Sequence, residues 1–111
     1  MNTLPRPLAL LACALLLPGC AATGFTQTEQ VDLDTGYQAT RAAMKDLRFS
    51  VRDQAKDALG ATVTAAKADK TEVTVKMNAK GEHLTEFRIK VGILGDDLQA
   101  RLIMDEIKKH F

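Results

Sequence analysis

The most constraining feature of this 111-residue chain is an alternation of apolar and polar residues that recurs four times between positions 48 and 91. Phe49 and Val51 alternate with Arg48, Ser50 and Arg52. Ala61, Val63 and Ala65 alternate with Thr62 and Thr64. Val73, Val75 and Met77 alternate with Thr74 and Lys76, and Phe87, Ile89 and Val91 with Glu86, Arg88 and Lys90. A period of two with one apolar face is the pattern of an antiparallel strand buried on one side and wet on the other. The connections read as short and polar: Gln54 to Gly60, Asp69-Lys70, and Asn78 to Glu82 with Gly81 inside it. Such links predict a meander of hairpins.

A helical pattern stands on each side of this block. In the first, Tyr37, Thr40, Met44 and Leu47 share one face, and Ala39, Ala42 and Ala43 permit close approach. Thr35 with Gln38 reads as a capping box, with Asp34 adding favourable charge at the start. In the second, Asp96 and Gln99 read as cap and partner. Ala100, Ile103, Met104, Ile107 and Phe111 form the apolar stripe, broadened by Leu98 and Leu102. Lys108, Lys109 and His110 suit the negative end of the helix dipole. Two helical stripes and one apolar sheet face predict an α+β fold. The expected form is a two-layer sandwich: a four-stranded antiparallel meander sheet with two helices on one face, in the order α-β-β-β-β-α. Val31 and Leu33 could add a short N-terminal edge strand. The other sheet face stays open.

The N-terminus has a different character. Met1 to Pro7 carries one positive charge, Arg6; Leu8 to Leu17 is wholly apolar; Pro18-Gly19 then breaks any helix before Cys20. This is the layout of a secretory signal peptide, and it is shorter than the roughly 18 apolar residues that a membrane span needs. Leu17-Pro18-Gly19-Cys20 resembles a bacterial lipoprotein signal, in which cleavage precedes the cysteine and acyl chains are added to it. The alternative is ordinary cleavage near Ala21-Ala22 with no lipid. Cys13 would leave with the signal, so Cys20 would be the single cysteine of the mature chain. An odd thiol in an exported protein needs an explanation, and acylation supplies one. One acyl chain anchors marginally, and two or more anchor stably. Within the lipoprotein resemblance, Ala21 in place of an Asp implies the outer membrane, on its periplasmic face. The expected organisation is a signal peptide over 1–19, a flexible tether over 20–30 rich in Thr and Gln, and one α+β domain over 31–111.

The stretch Phe87-Arg88-Ile89-Lys90-Val91-Gly92-Ile93-Leu94-Gly95-Asp96, continuing through Ile103 and Ile107, resembles the signature of a domain-of-unknown-function family of small proteobacterial lipoproteins. Tyr37-Gln38-Ala39-Thr40 through Leu47 resembles that family's first helix. The resemblance implies a lipoprotein with an α/β domain. It implies no activity and carries over no catalytic or binding residue.

Charge excludes one class of partner. The chain has 15 Lys+Arg against 14 Asp+Glu, and loss of Arg6 leaves 14 of each. No global basic field points to nucleic acid. Gly92 to Gly95 could cradle phosphate before a helix, but the loop has no phosphate-binding lysine, and Asp96 and Asp97 would repel an anion; it reads as a tight turn plus a cap. His83 and His110 share no ligand spacing and read as surface residues, so no metal or cofactor is expected. Ser50 is the only serine, and Arg48 and Arg52 beside it are not general bases, so no catalytic residue is nominated and the protein is not expected to be an enzyme. The candidate binding face is the open side of the sheet. By alternation it presents Arg48, Arg52, Lys76, Arg88 and Lys90 against Glu72 and Glu86. Its alternatives are an ordinary solvated surface or a contact with headgroups, an envelope polymer or an acidic protein. Two functions are expected to compete: a membrane-anchored non-enzymatic envelope module, and a small-ligand carrier with a cavity lined by Met44, Met77, Phe87 and Met104.

Overall fold

The computed structural model describes residues 24–111; the signal-peptide reading of 1–19 and Cys20 lie outside the described residues. The elements are β1 (Phe25–Glu29), α1 (Leu33–Asp46), β2 (Ser50–Lys56), β3 (Gly60–Ala66), β4 (Glu72–Gly81), β5 (Leu84–Val91) and α2 (Asp97–Lys108). They form one antiparallel five-stranded sheet in the order β1-β5-β4-β3-β2. The meander from β2 to β5 is present, and the α+β class holds. The strand count is five rather than four, because Phe25–Glu29 pairs with β5 from Phe25↔Ile89 to Glu29↔Thr85.

That fifth strand corrects the N-terminal boundary. Residues 25–29 belong to the fold and not to a tether, and the edge strand lies before Val31 and Leu33 rather than on them. Leu33 is instead the first residue of α1 and is buried. The cap moves with it. Asp32, not Thr35, is the N-cap: its carboxylate accepts from Thr35 N at 3.3 Å and from Thr35 Oγ1 at 2.6 Å, satisfying an orphan donor of the first turn.

The core lies between sheet and helices and follows the alternation of β3, β4 and β5. Val63, Val75 and Ile89 stand side by side across the sheet, as do Ala65, Val73 and Val91, and Ala61, Met77 and Phe87. All nine are buried. Over them lie Ala39, Ala43 and Met44 of α1 and Ala100, Ile103, Met104 and Ile107 of α2. The stripe of α2 is narrower than its sequence suggests, since Leu98 and Leu102 are exposed. Polar atoms inside are paired: Thr40 Oγ1 donates to Gly36 O at 2.8 Å, and Thr85 Oγ1 to Val31 O at 2.8 Å. Each such bond offsets a desolvation cost that an unpaired hydroxyl would leave standing.

Two positions show how closely the layers meet. Gly36 in α1 faces the Phe87 ring; a Cβ there would stand 2.8 Å from Cζ. The ring cannot yield easily, because it is wholly buried and its other neighbours include Phe111 at a centroid distance of 6.0 Å. At the other end of α1, Arg48 has φ 61. Arg48 N donates to Lys45 O at 3.0 Å and Phe49 N to Met44 O at 2.9 Å, the paired bonds of a left-handed helix stop that usually carries glycine.

These two sites predict stability changes of opposite sign. Gly36→Ala gains helix propensity of about 0.8–1.0 kcal/mol but overpacks a fixed ring at about 1–3 kcal/mol, so it is expected to lower the urea midpoint. Arg48→Gly removes a left-handed strain of about 1–2 kcal/mol at a backbone-entropy cost of about 0.5–1 kcal/mol, so it is expected to raise the midpoint. Urea unfolding of the two variants beside the parent protein checks both signs.

Candidate binding groove on the open sheet face

The side of the sheet away from the helices is built from the residues that alternate with the core. Thr62, Lys76, Arg88 and Thr26 lie in one row across four strands, and Thr64, Thr74 and Lys90 in the next. Their orientation follows from burial of the residues between them: with Phe87, Ile89 and Val91 turned inward, Arg88 and Lys90 must point outward. At the end of the sheet where β5 finishes, this face deepens into an open groove. Lys70, Lys76, Arg88 and Lys90 line it, with Glu72 as the one carboxylate, and Ile93 and Leu94 form part of its rim.

Three of the five cations expected on this face are therefore brought together, and two are not. Arg48 sits in the left-handed turn after α1 and belongs to no strand. Arg52 is the extra residue of a bulge, where the β2–β3 register slips between Val51 and Asp53. Both interruptions break the period of two that would have placed them, and both lie at the β2 edge, two strands from β4. Glu86 points to the same side but is drawn off by Lys80, 3.9 Å away. Lys70 takes its place beside the groove through the turn between β3 and β4, a position that alternation alone does not reach.

That turn is held by a specific set of bonds. Lys67 N donates to Thr71 O and Lys70 N to Lys67 O, each at 2.9 Å. Asp69 Oδ1 accepts from Thr71 N at 3.0 Å. Lys70 is left-handed, with φ 73. The bond from Thr71 N, reinforced by the Thr71 side chain, holds the Asp69 carboxyl below its ordinary range. Two other acids are lowered in the same manner: Asp57 by Leu59 N and Gly60 N in the β2–β3 turn, and Asp32 by Thr35 at the start of α1.

Electrostatically, the groove is under-neutralised. Among the described residues, none of Lys70, Lys76, Arg88 and Lys90 has a carboxylate within ion-pair distance. Lys76 and Arg88 are direct cross-strand partners, and like charges so placed oppose pairing by about 0.2–1 kcal/mol. Four cations converging without internal partners can take an anionic group by charge-assisted hydrogen bonds, with Arg88 offering the planar fork.

The loop above the groove is a turn and a cap, as its sequence implies. Gly92 and Gly95 have φ of 73 and 81, values that a glycine adopts without strain. Gln99 N donates to Asp96 Oδ1 at 3.1 Å, which makes Asp96 the N-cap of α2. The Gln99 side chain does not reciprocate; its Oε1 accepts from Lys67 Nζ at 3.4 Å.

The histidines part company. His83 is exposed beside Glu82. His110 Nε2 lies 2.7 Å from Asp46 Oδ2 and 3.9 Å from Glu106 Oε2, so three potential ligand atoms fall within 4.8 Å of one another. Glu106 and His110 are four residues apart across the C-terminal end of α2; Asp46 is 64 positions from His110 and comes near only through packing of the helices. Each group already has a partner in the chain, including Lys109 Nζ at 3.2 Å from Glu106 Oε1, and the cluster ties the end of α1 to the C-terminus.

The three lowered carboxyls set a pH dependence with a definite sign. Each has a folded-state pKa below its unfolded value, so its contribution is fully present above about pH 4 and is lost as the pH falls through the lowered value. Replacing Asp32, Asp57 and Asp69 together with Asn keeps the acceptor oxygens and removes the titration. The expected result is a weaker loss of urea stability on acidification below about pH 4; an unchanged acid limb would assign it to other carboxyls.

Among the described residues no helix is long and apolar enough to cross a membrane. No curated protein matches the sequence. A family model described as a protein of unknown function, DUF3568, matches residues 3–110 and so spans both the region before the fold and every element of it; the chain belongs to this DUF3568 family.

Proposed function

We propose that the protein is a lipid-anchored, non-enzymatic module of the cell envelope, held by acyl chains on Cys20 at the periplasmic face of the outer membrane and binding an anionic group in the groove on its open sheet face. The observation that carries the binding reading is the convergence of Lys70, Lys76, Arg88 and Lys90 without ion-pair partners among the described residues. Support for the anchor comes from the sequence: one charged residue, ten apolar residues, then Pro18-Gly19-Cys20.

Two further observations favour this reading over its competitors. Met44, Met77, Phe87 and Met104, the expected lining of an internal carrier cavity, are each no more than 1% exposed and fill the layer between helices and sheet. The acids whose pKa is displaced are lowered chiefly by cap and turn hydrogen bonds, as structural features rather than as a poised general acid or base.

Two measurements test the two halves. Growth with labelled fatty acid is expected to label the parent protein and leave Cys20→Ala unlabelled and released from the membrane fraction; equal labelling would remove the anchor. For the groove, Lys76→Glu with Arg88→Glu is expected to abolish salt-sensitive retention on an anionic matrix while the urea midpoint is kept, because both side chains are exposed. Unchanged retention would take the groove out of the function.

A further inference from the structure

Exposed apolar residues also occur singly, as at Leu59 and Leu84, but the two most exposed of them among the described residues are adjacent. Ile93 and Leu94 are 91% and 95% exposed, and Leu98 and Leu102 are 68% and 55% exposed. These four fall within ten consecutive residues, on the loop between β5 and α2 and the outward side of α2. A loop built only to turn the chain would carry polar residues there; two nearly naked branched side chains between glycines require a different cause. On the sheet side Lys70 and Lys90 share the groove whose rim Ile93 and Leu94 form, with Glu72 as its one carboxylate; Asp96 and Asp97 follow on the helix side. Apolar side chains projecting beside cations on the sheet side match the layered chemistry of a bilayer surface, anionic headgroups outside and hydrocarbon within.

The position of the N-terminus selects the bilayer over other partners. Gly24, the first described residue, lies against the end of β5: a Cβ built on it would stand 3.1 Å from Ile89 O and 3.7 Å from Lys90 Cβ. Ile93 is three residues beyond Lys90, within roughly 10 Å along the chain. Cys20 is four residues before Gly24, a reach of at most roughly 14 Å. The exposed loop and the start of β1 therefore share one end of the sheet, and the attachment point is too near for the domain to stand far from its membrane.

We infer that the loop Gly92–Gly95 is a membrane-inserting tip, with Ile93 and Leu94 entering the same bilayer that holds Cys20 and Lys70 and Lys90 contacting its anionic headgroups. The inference rests on the anchor proposed above and names the anionic partner of the groove as phospholipid. The lipid anchor keeps the tip at the surface, so each weak contact acts intramolecularly at high effective concentration. The domain thereby acquires one orientation, with its β4–β5 turn at the far end of the sheet.

The test uses the full acylated chain in vesicles of phosphatidylethanolamine and phosphatidylglycerol. Leu94→Cys and, separately, Glu82→Cys in the distal turn are labelled with an environment-sensitive fluorophore; acylated Cys20 does not compete for the label. Expected are a blue shift and quenching by bilayer-borne quencher at position 94, and neither at position 82. Adding Ile93→Ser, Lys70→Glu and Lys90→Glu to Leu94→Cys is expected to abolish both signals while the protein stays on the vesicles. Three results overturn the inference. A protein that stays on the vesicles with a wet probe at position 94 leaves the anchor intact and removes the tip. Shielding of position 94 only after peptidoglycan fragments are added, or energy transfer between tips of two copies without lipid quenching, assigns the loop to that occupant instead. A protein that carries no fatty acid and leaves the vesicles removes both the anchor and the tip.

Discussion

The Phe87 ring is the contact on which the rest of the structure depends. It stands at the middle of β5, opposite Met77 on β4, beneath Gly36 of α1 and beside Phe111 after α2. Removing it would cost about 3–5 kcal/mol, a large part of the roughly 5–15 kcal/mol that holds a domain together. The contact also decides what lies outside. A slip of β5 by one residue would turn Phe87 to water and Arg88 into the core. The inner packing and the outer charge pattern are thus two faces of one register.

That register concentrates charge in a chain that is nearly neutral overall. Acids pair or cap elsewhere: Asp34 near Lys56, Glu86 near Lys80, Asp46 with His110. What remains on the open face is a cross-strand Lys76–Arg88 pair with Lys90 one row away. An arrangement that opposes its own folding, if only slightly, is usually retained for what it does outside the fold.

The three inner strands and both apolar helix faces were legible because each buries a regular stripe, and a buried stripe must repeat with the period of its element. The caps were partly legible. Asp96 was readable, whereas Asp32 was missed because Thr35, three residues later, has the same chemistry and is in fact its donor. The edges were read with the wrong bounds, β2 over 48–52 rather than 50–56 and the N-terminal strand at Val31 and Leu33 rather than 25–29, for one shared reason: they bury little. All seven residues of β2 are exposed, and β1 offers only Phe25 as a large apolar residue. In the groove, Lys76, Arg88 and Lys90 followed from the alternation of β4 and β5. Arg48 and Arg52 were misplaced because a left-handed residue and a bulge shift the phase of a strand without changing its composition. Lys70 lay in a turn, where no periodicity applies.

The pairing of β1 has a mechanical consequence. Its hydrogen bonds to β5 run across the strand direction from Phe25 to Glu29, and Gly24, directly before this ladder, lies against Ile89 and Lys90 of β5. A tug arriving through the N-terminus and directed along the strand therefore loads all of these bonds together, in shear, instead of peeling them one at a time. The strand that composition made look like a loose leash is the part of the fold built to bear tension.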